Sequence, residues 1–372
     1  MSGYVLLTGA TGLVGRYLLR DLLHAGVSLA VVIRPRRKAT AQQRLEEVLQ
    51  HWEKETDTSL PRPVVLSGDI TQPMLGLSQT DQEWVAAHVN QMYHNAASLT
   101  FHGKDRNLEP WLSNYTGTAH TLELCRQANI RKMHYVSTAY VCGLKDSVFY
   151  ETDALDPTAT FRNDYEESKC LTEQMVRDAD CFDQLTVYRP GTIVGDSQTG
   201  YTSTYHAFYA YLQFAWIIGE YSPKDSEGRW NAPIRLTATG NELRNLIPVE
   251  WISSAMTRLF LTPDHHGKTY HLTPTQPVTV AELDSAMSGF FRYYGTELVG
   301  QINLPESEMN DLEQQFYTSM ATYQPYWNIE PQFDCTNTLK ALPDLPCPVM
   351  NEQVLHRLMA FAVEDNWGKG KR

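Results

Sequence analysis

Short apolar runs separated by amphipathic stretches fill the first half of the chain. Tyr4 to Leu7, Leu29 to Ile33, Val64 to Ser67, Gln91 to His94, Met133 to Ser137 and Leu185 to Tyr188 predict strands. Between them Val14 to Ala25, Ala41 to Glu55, Asp81 to Val89, Leu108 to Gln127 and Tyr165 to Asp178 predict helices. Strands alternating with helices call for right-handed crossovers and a parallel, doubly wound sheet. After Gly195 the character changes. Tyr201, Tyr205, Phe208, Tyr209, Tyr211, Phe214 and Trp216 crowd one stretch, and Pro, Asp and Gly interrupt the chain from Pro223 to Gly228. Val249 to Leu261 returns to a helix and Thr269 to Leu272 to a strand, and the remainder mixes helices with Pro-rich turns. The expected organisation is an α/β domain over residues 1–198 that returns at about 246–275, with a smaller mixed lobe from 199–245 and 276–372.

Composition narrows the partners. The 372 residues are 42% hydrophobic, ample for a buried core. With 31 basic and 43 acidic residues the net charge is -12, which disfavours nucleic acid and anionic membrane. The six cysteines have neither zinc-pair spacing nor the pattern of a secreted disulfide framework, and His265-His266 reads as a turn, so no metal is expected. No apolar run approaches the ~20 residues that span a bilayer, and the N-terminus has no basic leader region. The expected location is the cytoplasm.

The first strand runs into Thr8-Gly9-Ala10-Thr11-Gly12-Leu13-Val14-Gly15. A turn this tight needs residues without Cβ, as does a pyrophosphate lying against the backbone, and the helix N-terminus offers N–H groups and partial positive charge. Gly9, Thr11, Gly12, Leu13, Val14 and Gly15 are thus cofactor candidates in a Rossmann-type domain. The spacing is G-x-x-G-x-x-G, one residue off the generic dinucleotide fingerprint, and a ligand-free tight turn is the plain alternative. The second strand ends in Arg34-Pro35-Arg36-Arg37-Lys38 where an NAD site would carry a carboxylate. Guanidinium pairs with a 2′-phosphate, so the sequence predicts NADPH with Arg34 as the selecting residue. Asp69, before Ile70, is placed either to accept from the adenine amino group or to close an Asx-type turn. Asn95, Ala96 and Ala97 follow the fourth strand, and small residues there let the loop approach the cofactor ribose.

Tyr165 and Lys169 stand four apart and share a helix face. An ammonium beside a phenol favours phenolate, and such a phenol passes a proton to or from a carbonyl oxygen while hydride moves at carbon. Lysine also suits the nicotinamide ribose hydroxyls. Ser137 and Thr138 end the fifth strand, where α/β ligand sites lie, and being adjacent only one of them is expected to face the site.

Together these residues resemble the extended short-chain dehydrogenase/reductase superfamily, whose opening is T-G-x-x-G-x-x-G. The resemblance runs from about Tyr4 to Gly195. It implies that Thr138, five before Gly143, is the catalytic hydroxyl, that Tyr165 and Lys169 are the catalytic pair, and that Asn114 supports the lysine through water. It also implies that Pro190, Gly191, Thr192 and Ile193 line the nicotinamide. Gly68-Asp69-Ile70-Thr71-Gln72-Pro73, His94-Asn95-Ala96-Ala97 and Tyr188-Arg189-Pro190-Gly191 are most similar to the thioester reductase and male-sterility (fatty acyl reductase) branch. That branch implies NADPH-dependent reduction of an acyl group on coenzyme A or an acyl carrier protein, to an aldehyde or an alcohol.

The Tyr201 to Trp216 stretch and Pro223 to Asn245 are expected to wall the substrate pocket, with at least half of the aromatics packing the lobe core instead. Arg235 and Arg244 are candidates for substrate phosphates or for surface ion pairs. Ketone or hydroxyl oxidoreduction and sugar-nucleotide epimerisation are rivals on the same fold, and non-catalytic NADP binding is a further one.

Overall fold

Apolar runs, most of them buried, build one parallel sheet. The computed structural model describes residues 3–103, 105–145, 147–327 and 330–369. Strands β1 (Tyr4–Thr8), β2 (Leu29–Ile33), β3 (Val64–Ser67), β4 (Val89–His94), β5 (Lys132–Val136), β6 (Gln184–Pro190) and β7 (Thr269–Leu272) form one sheet in the order β7-β6-β5-β4-β1-β2-β3. Every pairing is parallel. Strand order reverses between β1 and β4, whose registers set Thr8 opposite Val32 on one side and His94 on the other. A reversal of this kind opens a crevice at the carboxyl ends of the strands.

The helices follow their sequence signals. Helix α1 (Leu13–His24) buries Tyr17, Leu18 and Leu22. Helix α2 (Ala41–Thr56) starts at a reciprocal Thr40–Gln43 capping box. Helix α3 spans Gln79–His88. The helix expected from Leu108 begins later, because the residue preceding a proline is held out of helical geometry and Pro110 sets that boundary. A π-helical turn, Leu112–Thr116, then leads into α4 (Gly117–Gln127). Helix α5 (Asp164–Arg177) is capped by Asn163 and carries Asp164, Glu166 and Glu167 in its first turn, which suits the helix dipole.

The chain divides into two units. The first comprises the chain up to Gly191, then Trp251–Thr273 and Phe333–Pro346. The second comprises Thr192–Glu250, Pro274–Gln332 and the chain from Cys347. This differs from the expected division, which moved to the lobe after residue 198 and left Phe333–Pro346 there. The reason is Glu151. Its buried carboxylate accepts from the backbone N–H of His271, Asn337 and Thr338, and Asp334 N donates to Phe149 O at 2.9 Å. Those bonds tie the late segment to the first unit.

In the second unit α6 (Phe208–Tyr221), α7 (Val280–Phe291) and α8 (Glu352–Glu364) bury Phe208, Leu212, Ala286, Leu355 and Leu358 together. Short strand pairs join Thr192–Val194 to Leu246–Pro248 and Leu243–Arg244 to Val278–Thr279. Among the described residues, no helix is long and apolar enough to cross a membrane.

Candidate active site

The glycine turn closes on itself. Gly12 N donates to Gly9 O at 3.0 Å, and Gly9 has φ +76°, a conformation that favours glycine. A Cβ on Gly15 would stand 1.9 Å from Gly9 O, so that glycine is required by the protein's own packing. Gly12 differs. A Cβ there would meet only Gly9 O, at 3.5 Å, so nothing in the fold excludes a side chain. Gly12 precedes α1, which has no side-chain cap and no acidic residue in its first turn. An open cradle before an uncapped helix N-terminus, with Thr11, Leu13 and Val14 in the same turn, fits a pyrophosphate.

The neighbouring strand ends are latched to this turn. Thr8 Oγ1 lies 2.8 Å from His94 Nδ1 and accepts from the N–H groups of Asn95 and Ala96, both at 3.2 Å. His94 Nε2 meets Thr118 Oγ1 at 3.2 Å. Burial, with the Lys169 charge, pulls His94 down to about 3, so the imidazole is neutral. Ala97 follows in the same loop and is exposed.

At the end of β2 the arginines gather. Arg34 is largely exposed and lies 3.5 Å from Asp69, whose other oxygen accepts from Thr71 N at 3.0 Å. The Asx turn is therefore formed, with Arg34 as the second partner of the carboxylate. Ile70 follows, and its carbonyl oxygen stands 3.1 Å from His120 Nδ1. Sequence reasoning missed Arg44. From the first turns of α2 it donates to Arg34 O and, at 2.8 Å, to Thr11 Oγ1 of the glycine turn. Burial and the charges of Arg36 and Arg34 lower its pKa. A concentration of cations beside the phosphate cradle suits an additional phosphate group. The Thr40–Gln43 capping box was the available signal, since it fixes where α2 begins.

The chemical residues lie on β5, α5 and the π turn. Thr138 follows β5 with extended backbone, and its hydroxyl lies close enough to the Tyr165 phenol to ease its shift. Ser137 is buried, and its hydroxyl lies in the neighbourhood of the Glu173 carboxylate without a hydrogen bond to it. Burial pushes Tyr165 up to about 12, eased by Thr138 and reinforced by Glu166. The shift is opposite to the lowering that the spacing from Lys169 predicts. Lys169 Nζ donates to Val136 O at 2.8 Å and to Tyr135 Oη at 3.1 Å. Burial lowers Lys169 to about 7, and the Glu173 carboxylate opposes that shift. Glu173 itself is held near 2 by Arg189 and Arg177, against its own burial. Asn114 Oδ1 accepts from Ser98 N at 2.7 Å and Nδ2 donates to Ser168 Oγ at 2.9 Å, so it bonds the residue next to Lys169. Pro190 O accepts from Thr138 at 3.4 Å, and Gly191 N donates to Leu272 O at 3.1 Å. Thr192 and Ile193 open the second unit, where Thr192 N donates to Asn245 O at 2.9 Å.

The shifted lysine makes stability depend on pH. Unfolded Lys169 titrates near its ordinary 10.5, folded Lys169 near 7. Between those values the unfolded chain holds a proton that the folded chain has shed, so stability rises with pH. Below about 7 both states are charged and the full burial penalty remains. Urea unfolding of the ligand-free protein from neutral to moderately alkaline pH should show wild type gaining up to about 1 kcal/mol per pH unit over Lys169→Met. Parallel curves would mean that Lys169 stays charged in the fold.

A parallel sheet of this order, with a glycine turn at its switch point and a Thr–Tyr–Lys set at the end of β5, defines an oxidoreductase of the extended short-chain dehydrogenase/reductase class that binds a nicotinamide cofactor. Within that class the chain belongs to the male sterility protein family, whose model matches residues 7–256. Two relatives bear on the reading. The non-canonical nonribosomal peptide synthetase hkm10 of Aspergillus hancockii is 25% identical over 98% of this chain and 37% of its own length. A linear gramicidin synthase of Brevibacillus parabrevis is 32% identical over 52% of this chain and 4% of its own. The chain thus spans only about a third of the first curated relatives it matches. In structure it is similar to the terminal R domain of the myxalamid PKS-NRPS pathway, with a TM-score of 0.77, 25% identity, and coverage of 100% of this chain and 92% of that one. UDP-glucose 4-epimerase from Bifidobacterium longum shares the fold at TM-score 0.67 and 17% identity, covering 98% and 99% of the two chains.

Proposed function

We propose that this chain is an NADPH-dependent reductase of acyl thioesters carried on coenzyme A or on a carrier protein. The observation that carries the reading is the half-buried Tyr165 phenol beside Thr138, with Lys169 one turn on along the same helix. A paired phenol and hydroxyl form a donor set for a carbonyl oxygen that gains negative charge. The relatives that are peptide synthetases, together with the terminal R domain, support a thioester over a free ketone.

When bound, the cofactor supplies hydride. The roles of the chain's own residues follow from their chemistry. Gly9, Gly12, Gly15 and the N–H groups opening α1 hold the pyrophosphate. Arg34 and Arg44 pair with the 2′-phosphate. Lys169 holds the ribose hydroxyls, and Asn114 steadies α5 through Ser168. Thr138 and Tyr165 stabilise the oxyanion left when the thioester carbonyl is reduced. The resulting hemithioacetal expels its thiol to give an aldehyde, and Tyr165 protonates the alkoxide in any second reduction.

A panel of acyl-CoAs, ketones and nucleotide sugars with NADPH tests the reading, and oxidation of NADPH by ketones alone would sink it. Arg34→Ala tests the cofactor. Losing a charge-assisted phosphate pair costs ~1.5–3 kcal/mol, so NADPH affinity should fall roughly tenfold to a hundredfold while NADH affinity stays put. Arg44→Ala should act in the same direction. Equal losses for both cofactors would refute the 2′-phosphate assignment.

A further inference from the structure

The chain leaving β4 crosses the start of α5. Residues 95–100 have no regular secondary structure, yet the stretch from Ser98 to Gly103 is fastened at both ends. At its near end Ser98 N donates to Asn114 Oδ1 at 2.7 Å, and Asn114 Nδ2 donates back to Ser98 O at 3.2 Å. At its far end Asp164 N donates to Phe101 O at 3.0 Å, and Gly103 N donates to Asp164 Oδ2 at 2.9 Å. Gly103 also runs against backbone, since a Cβ there would stand 2.0 Å from Glu109 O. All of these residues belong to the first unit.

The fastenings converge on Tyr165. Asp164 immediately precedes it in α5. Asn114 reaches it through Ser168, because Asn114 Nδ2 donates to Ser168 Oγ at 2.9 Å and Ser168 Oγ donates to Tyr165 O at 2.8 Å. Between these ties the Phe101 ring lies against the Tyr165 ring, with centroids 6.1 Å apart and planes inclined by 30°. A loop that served only to fill the core would bury Leu99, which is 49% exposed. What this loop holds is the ring of Phe101. That contact answers a need the helix leaves open. A helix fixes the Cα of Tyr165, but a long helical side chain has two favoured χ1 values, at about 180° and about −60°. They put the phenolic oxygen at opposite ends of a wide swing. An aromatic ring held on one face of the phenol blocks that swing.

We infer that Phe101 is a positioning residue for Tyr165: held by Asp164 and steadied through Asn114, its ring fixes the phenol in the rotamer that reaches the substrate oxygen. The inference rests on the proposed role of Tyr165 as donor to that oxygen, while the ring contact stands apart from any reaction. No proton or electron pair passes through Phe101, which has neither donor nor acceptor. Its effect is on how often the phenolic oxygen stands in place. It should therefore appear in kcat and not in NADPH affinity, and only while Tyr165 carries its oxygen.

The test is a double-mutant cycle on the full chain. Phe101→Ala should lower the single-turnover rate of aldehyde reduction by about 10- to 100-fold, the scale of a reacting group displaced by ~1 Å, with NADPH affinity unchanged. In a Tyr165→Phe background the same substitution should cost no more than about twofold, the scatter of independent effects, because the oxygen it positions is gone. Phe101→Tyr keeps the ring and should recover most of the loss. Phe101→Leu fills similar space without a flat face, and it carries the cycle if Phe101→Ala does not fold. Fluorotyrosine in place of Tyr165 gives a reading that needs no turnover. Its fluorine resonance should move in Phe101→Ala and stay near the wild-type position in Phe101→Tyr. An unmoved resonance, an effect confined to KM, or equal rate losses with and without the Tyr165 oxygen overturns the inference. If the resonance moves as described while neither thioester nor aldehyde oxidises NADPH, the positioning of the phenol stands and the thioester reading falls. If thioesters are reduced and the two losses simply multiply, the thioester reading stands and the inference falls.

Discussion

Tyr165→Phe is expected to lower the rate of aldehyde reduction by about 100- to 10,000-fold, the range associated with removing a positioned general acid. The ring should stay in place, because it stacks with Phe101 at a centroid distance of 6.1 Å, and only the phenolic oxygen is lost. Lys169 keeps its bonds to Val136 and Tyr135, so NADPH affinity should change little. The fall should be smaller for the thioester step. There the oxyanion needs stabilising without a proton having to be delivered, and Thr138 remains to do it. Single-turnover oxidation of bound NADPH, measured separately with an acyl thioester and with the matching aldehyde, gives the two rates. Wild-type rates for both substrates would remove Tyr165 from the chemistry. A phenol with the ordinary value of 10 is already protonated at neutral pH, and burial pushes this one further up, to about 12.

The second large effect contrasts two glycines of one turn. Gly15→Ala places a Cβ 1.9 Å from Gly9 O and 2.9 Å from Asn95 Nδ2. Backbone must move, so the turn itself is expected to fail. Overpacking of this kind costs ~1–3 kcal/mol, and NADPH binding should be lost with it. Gly12→Ala meets only Gly9 O, at 3.5 Å, and the variant should fold with near wild-type stability. If a pyrophosphate lies against that backbone, Gly12→Ala should nonetheless weaken NADPH strongly, because the methyl group occupies the cradle. Urea unfolding and NADPH titration of both variants separate the two cases. Gly12→Ala binding NADPH like wild type would move the phosphates away from this turn.

Much of the first unit was legible because its signals are local. A short apolar run between helical stretches predicts a strand wherever it occurs, and Leu29–Ile33, Val64–Ser67 and Thr269–Leu272 form with the expected bounds. Tyr165 and Lys169 share a face because of helix geometry alone. Arg44 was not legible as a site residue, since its contact with Thr11 joins positions 33 apart in sequence. The same holds for Phe333–Pro346, which long-range bonds to Glu151, Phe149 and His271 tie to the first unit.

By itself, the order of apolar runs, glycines and the Tyr–Lys spacing determined the parallel sheet, the turn at its switch point and the residue types available for chemistry. Only the tertiary structure decided their charge states and neighbours. Burial raises Tyr165 to about 12 and brings Lys169 to about 7. Long-range packing turns Phe208, Tyr211 and Phe214 onto a cavity and sets Tyr201, Tyr205 and Trp216 against other rings. The physical reason is common to all of these. Periodicity and turn chemistry act between residues a few positions apart, whereas desolvation and cavity shape depend on which distant segments pack around a group.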